Sequence, residues 1–150
     1  MNASLVAALA CILSAGATAA SAEAWRAISG NAEGVTGLDY GSVAGPPSAR
    51  TASFVRVFKT TQAGVAFVVM TNEFDCDARK VTPTFVGRFD IDGLVVSTDA
   101  GKSRKTSVIE EGTAADSMWR AACEGARSGS EAFPRLTDFV AHWREKLGGA

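Results

Sequence analysis

Residues 52–60 read ASFVRVFKT and residues 64–74 read GVAFVVMTNEF, two runs rich in β-branched and aromatic side chains with a short polar break between them. Side chains of this kind favour a pleated backbone. In the second run Val65, Phe67 and Val69 point one way and Ala66, Val68 and Met70 the other. A strand that is apolar on both faces belongs in the middle of a sheet with cover on both sides. Upstream, residues 24–29 are predicted as a first strand closed by Gly30-Asn31. Residues 35–43 form a second, interrupted by glycines and ended by Gly45-Pro46-Pro47. Downstream, residues 84–91 set Phe85, Phe89 and Ile91 on one face and Thr84, Arg88 and Asp90 on the other. Asp92-Gly93 is a hairpin signal, and residues 94–98 make the return strand. Strand after strand through tight turns describes an antiparallel meander.

Helical periodicity comes late. Residues 113–123 (TAADSMWRAAC) predict a helix with Thr113 as its N-cap and Met118, Trp119 and Ala122 on one side. Residues 133–147 predict a second, with Pro134 in its first turn and Gly148-Gly149 as its stop. Leu136, Phe139, Val140, Trp143 and Leu147 form its apolar stripe; Glu131, Arg135, Asp138, His142 and Glu145 fall on the opposite, polar side. The expected fold is α+β: an antiparallel sheet of about six strands with one or two C-terminal helices packed on it.

Residues 1–22 carry no charge, contain a short apolar run and end in Ala20-Ser21-Ala22, the small-x-small form that a signal peptidase cuts. The run is too short to span a bilayer as a helix. The expectation is a signal peptide over 1–22 and one domain over 23–150, with 131–150 as a C-terminal amphipathic helix extension. The mature protein would then lie in the periplasm or on the outer cell surface, with no membrane span. Met1-Asn2-Ala3-Ser4 lacks the usual basic residue, so the competing reading is a buried helix. A lipoprotein attached through Cys11 is another, although Ala8 stands where a bulky aliphatic is wanted. Cleavage removes Cys11 from the three cysteines and leaves Cys76 and Cys123. An even count in an exported chain reads as a disulfide. It would tie helix to sheet and close a loop of roughly 50 residues, worth on the order of 4 kcal/mol on the chain-entropy account. A reactive thiol pair fits less well, because Asp75 and Asp77 flank Cys76 and would raise a thiol pKa.

A formal net charge of −1 over 150 residues lacks the electrostatic footprint of a nucleic-acid binder. The motifs that suggest catalysis are incomplete. Asp99-Ala100-Gly101-Lys102-Ser103 resembles the end of a phosphate-binding loop, but Val96 stands where its first glycine is needed. Asp90-Ile91-Asp92-Gly93 resembles half of a calcium loop and lacks the closing glutamate, so it reads as a turn. His142 is the only histidine; Asp138 and Glu145 flank it on what reads as a solvated helix face. No catalytic residue, metal or cofactor is expected. Phe54, Arg56 and Phe58 share one strand face. Left uncovered, that face is a candidate surface for a protein partner or a homodimer; otherwise a helix covers it.

Several segments occur in a familiar order: Asp39-Tyr40-Gly41-Ser42-Val43, Val55-Arg56-Val57-Phe58, Glu73-Phe74-Asp75-Cys76, residues 89–96 (FDIDGLVV) and Cys123. In this the chain resembles the surface-adhesin protein E family, small exported proteins of Gram-negative bacteria, over roughly residues 25–125. The resemblance implies an antiparallel sheet with a helix packed on it and a Cys76–Cys123 disulfide. It also implies a binding role, since a few members bind host extracellular-matrix proteins. Two departures are visible: a phenylalanine at position 58, where the family often has tryptophan nearby, and an added helix after the second cysteine. The resulting expectation is a non-enzymatic exported domain that binds a host-matrix or envelope macromolecule or associates with itself. The alternative is a periplasmic housekeeping or enzyme-inhibitor module.

Overall fold

The computed structural model describes residues 22–100, 105–127 and 129–148. Cys11 and almost all of the segment read as a signal peptide lie outside them, as does most of the loop at 99–103. The strands are β1 (Trp25–Asn31), β2 (Gly34–Ala44), β3 (Arg50–Gln62), β4 (Val65–Asp75), β5 (Lys80–Phe89), β6 (Val95–Asp99) and β7 (Ser107–Val108); the helices are α1 (Ala114–Cys123) and α2 (Leu136–Leu147). The first six strands form an antiparallel meander in chain order, as expected from the sequence. β7, which the sequence reading did not anticipate, pairs with the start of β5 at Lys80 and Val81; β6 pairs with its end, from Val86 to Phe89.

The two faces of the sheet are both apolar, and each carries one helix. Cross-strand rows make this plain. Val35, Val57, Phe67 and Phe89 lie side by side across β2–β5, and Gly37, Val55, Val69 and Gly87 form the next row on the same face. These rows meet α2 through Phe139 and Val140, with Trp25 at the margin. A side chain at Gly37 would occupy the space of the Phe139 ring, so the glycine admits the largest knob of α2. On the other face Leu38, Phe54 and Met70 form a row under α1, where Trp119, Ala121 and Ala122 meet them together with Phe74. The two-faced reading of residues 64–74 is therefore explained by a helix on each side.

Thr113 caps α1 as expected, its hydroxyl accepting from the Asp116 N–H at 3.2 Å. α2 starts later than predicted. Phe133 does not begin the helix but bridges to Trp25, with both N–H···O bonds at 2.9 Å. Pro134 disfavours helical geometry in the residue before it, and Phe133 uses its extended backbone to close the β1 edge. His142 is half-buried on α2: its ring packs against Phe133 at 4.8 Å and Trp143 at 5.4 Å, and the rest stays open to solvent. Arg144, unremarked in the sequence, is buried and donates to the Phe58 carbonyl at 3.2 Å.

The motifs behind the resemblance have structural tasks. Pairing between β2 and β3 is interrupted after Asp39. There the Ser42 hydroxyl donates to the Asp39 carbonyl and accepts the Ser53 N–H, while the Asp39 carboxylate takes the N–H groups of Ala24 and Gly41. Asp75 caps the β4–β5 turn by accepting from the Ala78 N–H. Cys76 follows β4 and is bonded to Cys123 at the end of α1, with a Cα separation of 5.6 Å. Trp119 donates to the Cys76 carbonyl, and Arg79 lies 4.2 Å over the Trp119 ring. Asp116 is buried beside this junction and accepts from the Gly112 N–H, Arg79 and Arg120.

Three outcomes follow from this packing. Phe139→Ala should cost about 3–5 kcal/mol in urea unfolding, as deletion of a buried ring does. Cys76→Ser should cost roughly 2–5 kcal/mol, and reductant should lower the stability of the parent protein but not of the variant. The backbone bond from Gly112, reinforced by Arg79 and Arg120, holds the Asp116 carboxyl below its ordinary value of 3.8. The unfolded chain therefore takes up this proton first. The stabilisation is full above that value and drains away as pH falls towards the lower folded value. Asp116→Asn should be less stable than the parent at neutral pH, and acid titration of the two melting curves should bring them together.

Candidate functional site

The two outer edges of the sheet are treated differently. β1 is closed by residues 130–133: beyond the Phe133 bridge, the Ser130 hydroxyl donates to the Ala27 carbonyl and Arg26 donates to the Ser130 carbonyl. At the opposite edge, no strand among the described residues pairs with the outer side of β6. The turn before it is rigidly built. The Asp90 carboxylate accepts the N–H groups of Asp92 and Leu94, and Gly93 takes the left-handed backbone that a side chain would resist. The turn thus presents Leu94, Val95 and Val96, which are 65%, 62% and 48% exposed. Ile91 and Val108 are exposed as well, so every large hydrophobic residue exposed among the described ones lies in the β5–β6 turn, β6 or β7.

An unpaired strand offers alternating N–H and C=O groups to another chain, and neighbouring apolar side chains add contact area. A cleft of about 310 Å³ adjoins the same turn, lined by Phe67, Phe89, Ile91, Leu136 and Val140. Its floor is rigid, since Phe67 and Phe89 stack with centroids 4.9 Å apart. Strand edge, exposed apolar side chains and apolar cleft are therefore continuous through Ile91.

The residues singled out in the sequence divide differently. Phe54 is fully buried against Phe74 beneath α1, so it forms no part of an exposed surface. Packing of the α1 apolar side removes it. Phe58 and Arg56 are partly buried. Arg56 lines a separate cavity between the sheet and α1. The structure thus does not bring the three together as a partner patch. The β6 edge was missed because 94–96 (LVV) has the same unbroken apolar character as the central strand; only strand order reveals that no further strand among the described residues pairs with it. Among the described residues no group of three His, Cys, Asp or Glu side chains is arranged to hold a metal. None of the described helices is long and apolar enough to cross a membrane.

The comparisons agree with this architecture. Neither a curated protein nor a solved structure matches the chain. The sequence model of surface-adhesin protein E matches residues 25–124, which run from the first residue of β1 to the residue after Cys123. With two thirds of its length matched and the sheet, first helix and disulfide inside that span, this chain belongs to the surface-adhesin protein E family.

Proposed function

We propose that the protein is an exported, non-enzymatic, adhesin-like binding domain that captures a host-matrix or envelope protein by strand addition at β6. The observation that carries this reading is the contrast between its edges: β1 is closed by its own chain, and β6 presents Leu94, Val95 and Val96 to solvent. Main-chain pairing supplies affinity in strand addition, and side-chain pockets beside the edge supply selectivity. The cleft at Ile91 is placed to act as such a pocket. Family membership supports export and a binding role. The packing of His142 between Phe133 and Trp143 gives it a structural task that needs no catalytic explanation.

The test is capture of the purified protein on immobilised extracellular-matrix proteins and, separately, recovery of partners from envelope extract. Leu94→Lys combined with Val96→Lys should abolish capture. Its melting curve should stay close to the parent, because substitutions at exposed sites usually change stability by no more than about 0.5 kcal/mol. Light scattering reports whether the same edge pairs two copies of the chain. Undiminished capture by the double variant would rule out the β6 edge.

A further inference from the structure

We infer that the cavity around Arg56 is a binding site for a small carboxylate-bearing ligand, distinct from the β6 edge. The row Leu38, Phe54 and Met70 is covered by α1, whereas the adjacent row on the same face, Thr36, Arg56 and Val68, runs past the end of the helix. Between this row, the first turn of α1 and the β1–β2 turn lies a cavity of about 550 Å³. Among the described residues, Arg56 is the only charged one lining it. The guanidinium donates from Nη1 to the Thr36 hydroxyl at 3.1 Å and from Nη2 to the Asn31 side-chain oxygen at 3.2 Å. Both acceptors are neutral, and no carboxylate among the described residues pairs with it.

Partial burial of an arginine without an acid is costly, and sites that recognise anions carry that cost in the unliganded state. Burial lowers the pKa of Arg56, with no nearby acid opposing the effect. Contrast Arg79 and Arg120, which both reach Asp116, and Arg135, which holds Asp138 through two bonds of 2.8 Å. The Arg56 head is also held in place. Asn31 is fixed as its acceptor by the N–H groups of Glu33 and Gly34, and Thr36 is buried. A Cβ at Gly34 would meet the Val57 carbonyl at 2.4 Å and Nε and Nη2 of Arg56 at 3.2 Å, so the guanidinium packs against this glycine. An arginine has five N–H donors, and only two are spent on the fold here. A carboxylate can accept from donors that remain, and the held guanidinium loses little freedom on binding. Ser117 adds a hydroxyl that makes no hydrogen bond among the described residues, and Met118 adds an adaptable apolar wall.

Titration of the isotopically labelled protein with N-acetyl-alanine, N-acetyl-alaninamide and inorganic phosphate, at constant ionic strength, tests the inference. N-acetyl-alanine should give saturable shifts at the Arg56 Nε–H and at the Thr36 and Ser117 amides; the amide analogue should give none. Arg56→Gln should weaken binding by at least about tenfold, as loss of a charge-assisted pair does. Ser117→Leu, which removes the hydroxyl and narrows the cavity beside Arg56, should weaken binding as well and serves as the test if Arg56→Gln does not fold. Equal response to acid and amide, binding undiminished in both Arg56→Gln and Ser117→Leu, or saturation by phosphate alone would each overturn the carboxylate assignment. The β6 double variant should bind N-acetyl-alanine like the parent, which separates this site from the strand-addition reading.

Discussion

The architecture depends on one constraint: the central strands β3 and β4 are apolar on both faces, so neither face can be left to water. Each buried apolar side chain is worth about 1.5–3 kcal/mol, and the rows through Val55, Val57 and Phe67 on one side and Phe54 and Phe74 on the other multiply that several times. A single helix satisfies only one face. The chain therefore sends α1 to the Phe54 face and α2 to the Phe139 face, although both follow the sheet in sequence. The helices are anchored differently. α1 is tied covalently through Cys123 to the turn after β4, while α2 is held by ring packing around Phe139 and by the Phe133–Trp25 bridge that delivers the chain to it.

The same economy explains the edges. The segment that carries the chain from α1 to α2 must pass β1, and it pairs with that strand on the way. No comparable segment among the described residues passes β6. Its position at the end of the meander leaves both faces of Val95 and Val96 beyond the reach of either helix. Hydrophobic residues in such a place lower solubility unless another chain meets them, which is why they point to association rather than to folding.

Charge is distributed by a related logic. Asp116 gathers Arg79, Arg120 and the Gly112 N–H at the start of α1, so a carboxylate is buried with every requirement met. In the cavity beside the first turn of α1, Arg56 is held by an amide oxygen and a hydroxyl. The first arrangement stabilises the fold at neutral pH. The second leaves donors and charge unspent in a space large enough for a ligand.

Much of this was determined by the sequence alone. Period-two alternation and turn residues such as Asp92-Gly93 impose the meander, because the backbone and the nearest side chains settle a hairpin locally. Thr113 capping, the α2 stripe and the cysteine parity were legible for the same reason, and the ordered segments from Asp39 to Cys123 sufficed to indicate the family. Tertiary structure alone decided which apolar residues are covered. Phe54 and Val96 look alike in sequence, yet one lies under Trp119 and the other on an open edge. Pro134 delayed the start of α2, because Phe133 found its hydrogen bonds in β1 rather than in a helix. Arg56 read as part of a partner surface with Phe54 and Phe58, whereas the fold sets it, partly buried, beside α1, Asn31 and Thr36. Burial depends on strand order and helix placement, and these are set by contacts between residues far apart in the chain.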